Sequence, residues 1–99
     1  MKPLVFLGSS QDDIRAMPAA ARHAIGLELM RVQFGAMPAD FKPMQTVGAG
    51  AYEIRVRDAH GAFRAIYVAR VETAVYVLHA LQKKTRKTAK TDLDLAIAR

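Results

Sequence analysis

The chain has 99 residues, of which 52% are hydrophobic and 24% charged, a mixture that predicts one domain spanning 1–99 with its own core and excludes wholesale disorder. It has no cysteine, which excludes disulfides and thiolate metal ligands and fits a reducing compartment. Fifteen Lys and Arg against nine Asp and Glu leave a net charge of +6, and residues 53–99 carry ten of the fifteen cations. A basic half predicts a polyanion partner, because cations beside phosphates release condensed counterions. The plain alternative is a solubility surface. The apolar run Pro3–Leu7 is broken by Gly8-Ser9-Ser10, too short for a signal peptide. No apolar stretch approaches the roughly 20 residues of a membrane helix, so a cytoplasmic location is expected.

Residues 3–7 predict a short strand at a sheet edge, because Pro3 cannot donate a ladder hydrogen bond. Ser9 and Ser10 are candidate helix caps, and Ser10 with Asp13 has capping-box spacing. A first helix over about 10–16 should stop before Pro18, which can open a second helix at its first position. In that helix Ala21, Ala24, Ile25, Glu28, Leu29 and Val32 follow the i, i+3, i+4 rhythm, while Arg15, Arg22 and Arg31 fall on the solvent side. Gly35 is the expected C-terminal stop. Residues 36–51 hold two prolines and two glycines with no period, and read as a loop.

The second half is strand-rich. Tyr52 to Arg57 alternates strictly, with Tyr52, Ile54 and Val56 on one face and Glu53, Arg55 and Arg57 on the other. Asp58-Ala59-His60-Gly61 is a turn, Phe63 to Arg70 the next strand, and Ala74 to Leu81 a third, together an antiparallel meander. A basic run follows (Lys83, Lys84, Arg86, Lys87, Lys90), and Thr88 or Thr91 caps a final helix with Leu93, Ala96 and Ile97.

The Glu53/Arg55/Arg57 row is the most informative feature. A regular hairpin through Asp58–Gly61 puts Arg64 opposite Arg55 on the same face. Like charges facing across a strand pair are destabilising, so a sequence that keeps them has a use for them. Guanidinium forks bind phosphate oxygens bidentately and neutralise charge that builds up in a transition state. The competing view is a solvated face with Glu53 as counter-ion. Glu53 itself is either a general base or an ion-pair partner, since cationic neighbours keep a carboxylate ionised and make it a weaker base. His79, inside an apolar strand, is either structural or catalytic. His23 and His60 read as surface residues, and three scattered histidines without cysteines argue against a zinc site. Tyr67 shares parity with Phe63 and reads as core. The basic run either grips an RNA backbone or is a solvated linker. No cofactor is expected.

The segments Gly50–Arg57, Phe63–Tyr67 and Leu78–Thr85 together resemble the RelE/ParE toxin superfamily, and most nearly its HigB-like, phage-derived branch. The branch pattern is Glu-(Leu/Ile)-Arg, then (Phe/Tyr)-Arg-x-x-Tyr, then His-x-Phe-x-Lys-Lys-Thr, and Lys42-Pro43-Met44 adds to the match. The resemblance implies an α+β, microbial RNase-like fold: a small antiparallel sheet, two N-terminal helices packed on one face, and a short C-terminal helix. It implies a type II toxin–antitoxin toxin that cleaves messenger RNA on the ribosome by attack of a 2′-hydroxyl, without metal. By matching positions Arg55 and Arg64 would hold the phosphate, and Lys84, or else Lys83, would stabilise the transition state or leaving group. Arg57 would support them, Glu53 or His79 would manage protons, and Arg86, Lys87 and Lys90 would bind RNA. Leu81 stands where the branch has phenylalanine, and no Tyr or His follows the basic run. The implied partner is a helix-turn-helix antitoxin, through which the pair would bind operator DNA. Two rivals remain: a ParE-like gyrase inhibitor, and an inactive nucleic-acid-binding accessory protein of phage origin.

Overall fold

The computed structural model describes residues 1–69, 73–83 and 88–99. In chain order they form β1 (Leu4–Phe6), α1 (Ser10–Arg15), α2 (Ala19–Gln33), β2 (Phe41–Pro43), β3 (Ala51–Asp58), β4 (Gly61–Ala69), β5 (Val75–Lys83) and α3 (Lys90–Ala98). The five strands make one sheet in the order β1-β5-β4-β3-β2. Strands β2 to β5 are the antiparallel meander, but β1 runs parallel to β5. The sheet is therefore mixed where an antiparallel one was expected. Tight turns fix the sense of consecutive strands, whereas nothing local fixes β1 against the distant β5. Pro3 sits at that outer edge and contributes only its carbonyl, which accepts the Val75 N–H at 2.9 Å.

The first half departs from expectation at its caps. Ser10 is the first residue of α1 and is buried, its hydroxyl donating to the Val77 carbonyl at 3.0 Å. Ser9 occupies the cap position instead and donates to the Asp13 carboxylate at 2.8 Å. Pro18 takes the cap position of α2 rather than its first turn. Gly35 ends α2 as expected, with φ +91° that other residues rarely adopt. The expected 36–51 loop contains β2, which pairs Lys42 with Glu53 and makes the second sheet edge. Three residues are too few to show a strand period.

The sheet separates two apolar clusters. On one face Ile14, Met17, Ala21, Ile25, Leu29 and Val32 of the helical layer pack on Ile54, Phe63, Ala65, Tyr67, Val75, Val77 and Ala80. The smaller cluster on the other face joins Met44, Ala51, Ile66, Leu78 and Ala96. Thus α3 and the segment before β3 cover part of that second face, and its remaining end carries the charged residues. Ile25 has no exposed surface. Its truncation to Ala is expected to cost about 2–5 kcal/mol, read as a lower urea midpoint at unchanged slope.

Candidate phosphate-binding site

Strict alternation along β3 puts Glu53, Arg55 and Arg57 on the face away from α2, as their spacing predicts. The hairpin holds that register without a bulge: Arg55 pairs with Arg64, Arg57 with Ala62, and Asp58 with Gly61. The turn is closed by the Asp58 carboxylate, which accepts the His60 N–H at 2.7 Å. Gly61 takes φ +128°, and a side chain there would come within 3.2 Å of the Gln82 amide.

Three cross-strand rungs compose the site. Lys42, Glu53, Ile66 and His79 form the first, Arg55, Arg64 and Leu81 the second, and Arg57, Ala62 and Lys83 the third. The first depends on a bulge in β5 near Leu78, since Ile66 pairs with His79 but Tyr67 with Val77. Without that extra residue His79 would share parity with Val75 and Val77 and point at the helices.

Glu53 is at the centre and only 1% exposed. Its Oε2 accepts the Thr88 hydroxyl at 2.6 Å. Its Oε1 lies 3.4 Å from Arg64 Nε and 3.6 Å from Arg55 Nε. A buried carboxylate needs such partners, because desolvating an ion costs several kcal/mol. The arginines in turn tolerate one another through it. Neither Nε has a hydrogen-bond acceptor among the described residues, although both atoms are buried. Arg64 anchors itself by donating from Nη1 to the Phe63 carbonyl at 3.1 Å.

Charge accumulates around this one carboxylate. Burial lowers the Arg64 pKa below its ordinary value; Glu53 and Asp40 oppose that shift, while Arg55 and Arg57 add to it. Arginine nonetheless stays protonated. The Lys83 pKa is also lowered, first by desolvation and then by Arg64, Arg55 and Lys42, with Glu53 opposing. Five cations thus converge on one sheet end with two inward-facing donors unmatched. Such an arrangement offers charge and hydrogen-bond donors suited to an anionic group.

His79 belongs to a separate network. It is 4% exposed, and its Nε2 lies in hydrogen-bond contact with the Asp92 carboxylate at 2.6 Å. Arg99 reaches its Nδ1 at 3.3 Å, the Leu78 carbonyl at 3.1 Å and Ser9 Oγ at 3.3 Å. This network ties α3 to β5 and to the start of α1.

The structure therefore brings together Glu53, Arg55, Arg57, Arg64 and Lys83. His79 shares their face but is engaged by Asp92 and Arg99, and Lys90 is an exposed residue opening α3. Lys84, Arg86 and Lys87 lie outside the described residues. His23 and His60 are exposed, as expected. Tyr67 is core, and burial with Tyr52 beside it pushes its pKa up to about 12. Two residues were missed. Lys42 joins the cluster only through the register of β2, and Thr88, expected as a cap of α3, serves Glu53 while Ala89 holds the cap position. Thr91 lies inside α3 and does not cap it either.

Residues 12–99 match the family model described as phage derived protein Gp49-like. No curated protein sequence matches the chain. Among solved structures it is similar to a double arginine-to-alanine mutant of the E. coli toxin RelE in the free state, with a TM-score of 0.74 and 17% identity over 98% of this chain and 95% of that one. At that identity the likeness establishes a RelE-like α+β fold.

Proposed function

We propose that this chain, which belongs to the phage-derived Gp49-like family, is the toxin of a type II toxin–antitoxin pair and cleaves messenger RNA on the ribosome. The observation that carries the reading is the Arg55–Arg64 pair, half-buried Arg55 and buried Arg64 ion-paired with Glu53 and with both Nε atoms lacking a hydrogen-bond acceptor among the described residues. A scissile phosphate set on that pair would supply acceptor oxygens to the guanidinium groups, and its charge would be met by cations that Glu53 already holds in place. No helix among the described residues is long and apolar enough to cross a membrane; the ribosome as partner would place the protein in the cytoplasm.

In this reading Arg64 and Arg55 hold the non-bridging oxygens, with Arg57 and Lys42 extending the positive field along the RNA backbone. The 2′-hydroxyl attacks the adjacent phosphorus in line, its proton passing to solvent. The bond to the 5′-oxygen breaks, leaving a cyclic phosphate and a 5′-hydroxyl. Lys83 donates the proton that the leaving oxygen takes up, a role eased by a lowered pKa. Lys84 is a second candidate for that charge. Glu53, hydrogen-bonded by Thr88 and ion-paired with two guanidinium groups, orients the arginines. His79 fastens α3 and would act on protons only after releasing Asp92. Lys90, Arg86 and Lys87 contact RNA or ribosome more peripherally. A helix-turn-helix antitoxin would silence the toxin and bring the pair to operator DNA.

Purified protein mixed with messenger-programmed ribosomes tests this directly. Cleavage with cyclic-phosphate ends, absent from naked RNA, is the expected result; intact message beside inhibited gyrase would favour the ParE-like rival. The pH profile tests Lys83. Because the group must be protonated to act and its pKa is lowered, cleavage is expected to fall as pH rises, at a pH below the ordinary lysine range. Lys83→Arg should be slower throughout and lack that fall.

A further inference from the structure

A helix with one buried face normally turns polar residues to solvent. Helix α2 does not. Its inner stripe is Ala21, Ile25, Leu29 and Val32, yet Leu27, Met30 and Phe34 on its outer side are 43%, 45% and 70% exposed. Ala20, His23, Leu27, Met30 and Phe34 recur at alternating steps of three and four. That is the a/d spacing of a coiled-coil seam, sustained over two heptads. Gly26 lies beside it with nothing within 4 Å of the place a Cβ would take, so a second backbone can approach closely. A groove lined by Ala19, Ala20, Arg22, His23, Gly26, Leu27 and Met30 follows the same face.

We propose that this seam docks a helix of another protein, amphipathic and acidic along its flanks. Charge decides the occupant. Arg22 lines the groove, donates to the Arg15 carbonyl at 3.2 Å, and meets no carboxylate among the described residues; nor does Arg15. Arg31 flanks the far end, and Glu28, the one acid on the helix, is already taken by Arg31 at 3.5 Å and the Ala39 N–H at 2.7 Å. A second copy of α2 would bring arginines against arginines, and two chains of charge +6 repel. An acidic partner meets neither penalty. The docked helix lies across the sheet from the Arg55–Arg64 pair, so it leaves that site open. The proposal stands apart from the nuclease reading.

The test uses the whole chain and a synthetic peptide of about three heptads with Leu at a and d and Glu at the flanks, against the same peptide with Lys at the flanks. The Glu peptide is expected to bind, at least tenfold tighter than the Lys peptide and more weakly as salt rises. Leu27→Glu with Met30→Glu should lose at least tenfold, and Leu27→Ala with Met30→Ala, milder on folding, should lose in the same direction. Arg22→Glu should reverse the preference between peptides. Equal binding of both peptides, no binding, or no effect of the paired substitutions would overturn the proposal. So would a dimer in sedimentation that Leu27→Glu with Met30→Glu dissolves, since it assigns the seam to a second copy.

Discussion

Arg64→Ala is expected to lower ribosome-dependent cleavage by about 10²–10³-fold, the loss typical of removing one preorganised donor from a developing anion. Arg64 is 7% exposed, fixed by the Phe63 carbonyl and by Glu53, so its fork is aimed before substrate arrives. Arg64→Lys keeps the charge and loses the planar fork, and should recover only part of the rate. The loss should fall on the rate at saturation more than on ribosome affinity, because the cations at Arg55, Arg57 and Lys42 remain. Single-turnover cleavage across a ribosome titration separates the two. A decrease of less than tenfold would remove Arg64 from the proposed chemistry.

Glu53→Gln should lower stability and turnover but raise affinity for RNA. Stability is expected to fall by about 3 kcal/mol, since removing one member of a buried ion pair leaves the others uncompensated; Arg55 and Arg64 would then face each other without the charge between them. Turnover should fall with it, as the guanidinium groups lose their aim. Affinity for RNA should rise, and its salt dependence should steepen by about one phosphate contact, because a negative charge has left a cationic patch. Urea unfolding and salt-dependent RNA binding measure these effects separately. If Glu53 were instead the base that accepts the 2′-hydroxyl proton, the same substitution would abolish turnover outright instead of lowering it.

The parts of the site that a two-residue period controls were legible in the sequence. Glu53, Arg55 and Arg57 alternate with Tyr52, Ile54 and Val56, and a turn tetrad at Asp58–Gly61 was enough to set Arg55 against Arg64. The long helix was equally plain from Ala21, Ile25, Leu29 and Val32. What escaped depends on pairing between distant segments or on local irregularity. The sense of β1 is set by β5, some 70 residues later. Lys42 enters the cluster through a three-residue strand too short to announce itself. His79 owes its face to a bulge near Leu78, a one-residue event without a compositional mark. Ser10 and Thr88 look like caps in sequence because hydroxyl residues before a helix usually cap it. Each has a stronger partner across the fold, the Val77 carbonyl for one and the buried Glu53 carboxylate for the other.

The α3 contacts relate the site to its neighbour. Thr88, Asp92 and Arg99 all come from the C-terminal segment, and they engage Glu53, His79 and Ser9 respectively. The same segment therefore holds the orienting carboxylate and fills the ring positions of the one histidine on the face. Under the proposed function this division gives Glu53 and His79 supporting work and leaves the phosphate to the arginines.

The most direct measurement is the mapping of messenger RNA 5′ ends in cells after brief induction of the chain and of its Arg64→Ala variant. The account predicts cuts within translated codons, in frame, that vanish in the variant. Arrested growth with intact messages, or the same cuts made by both proteins, would contradict it.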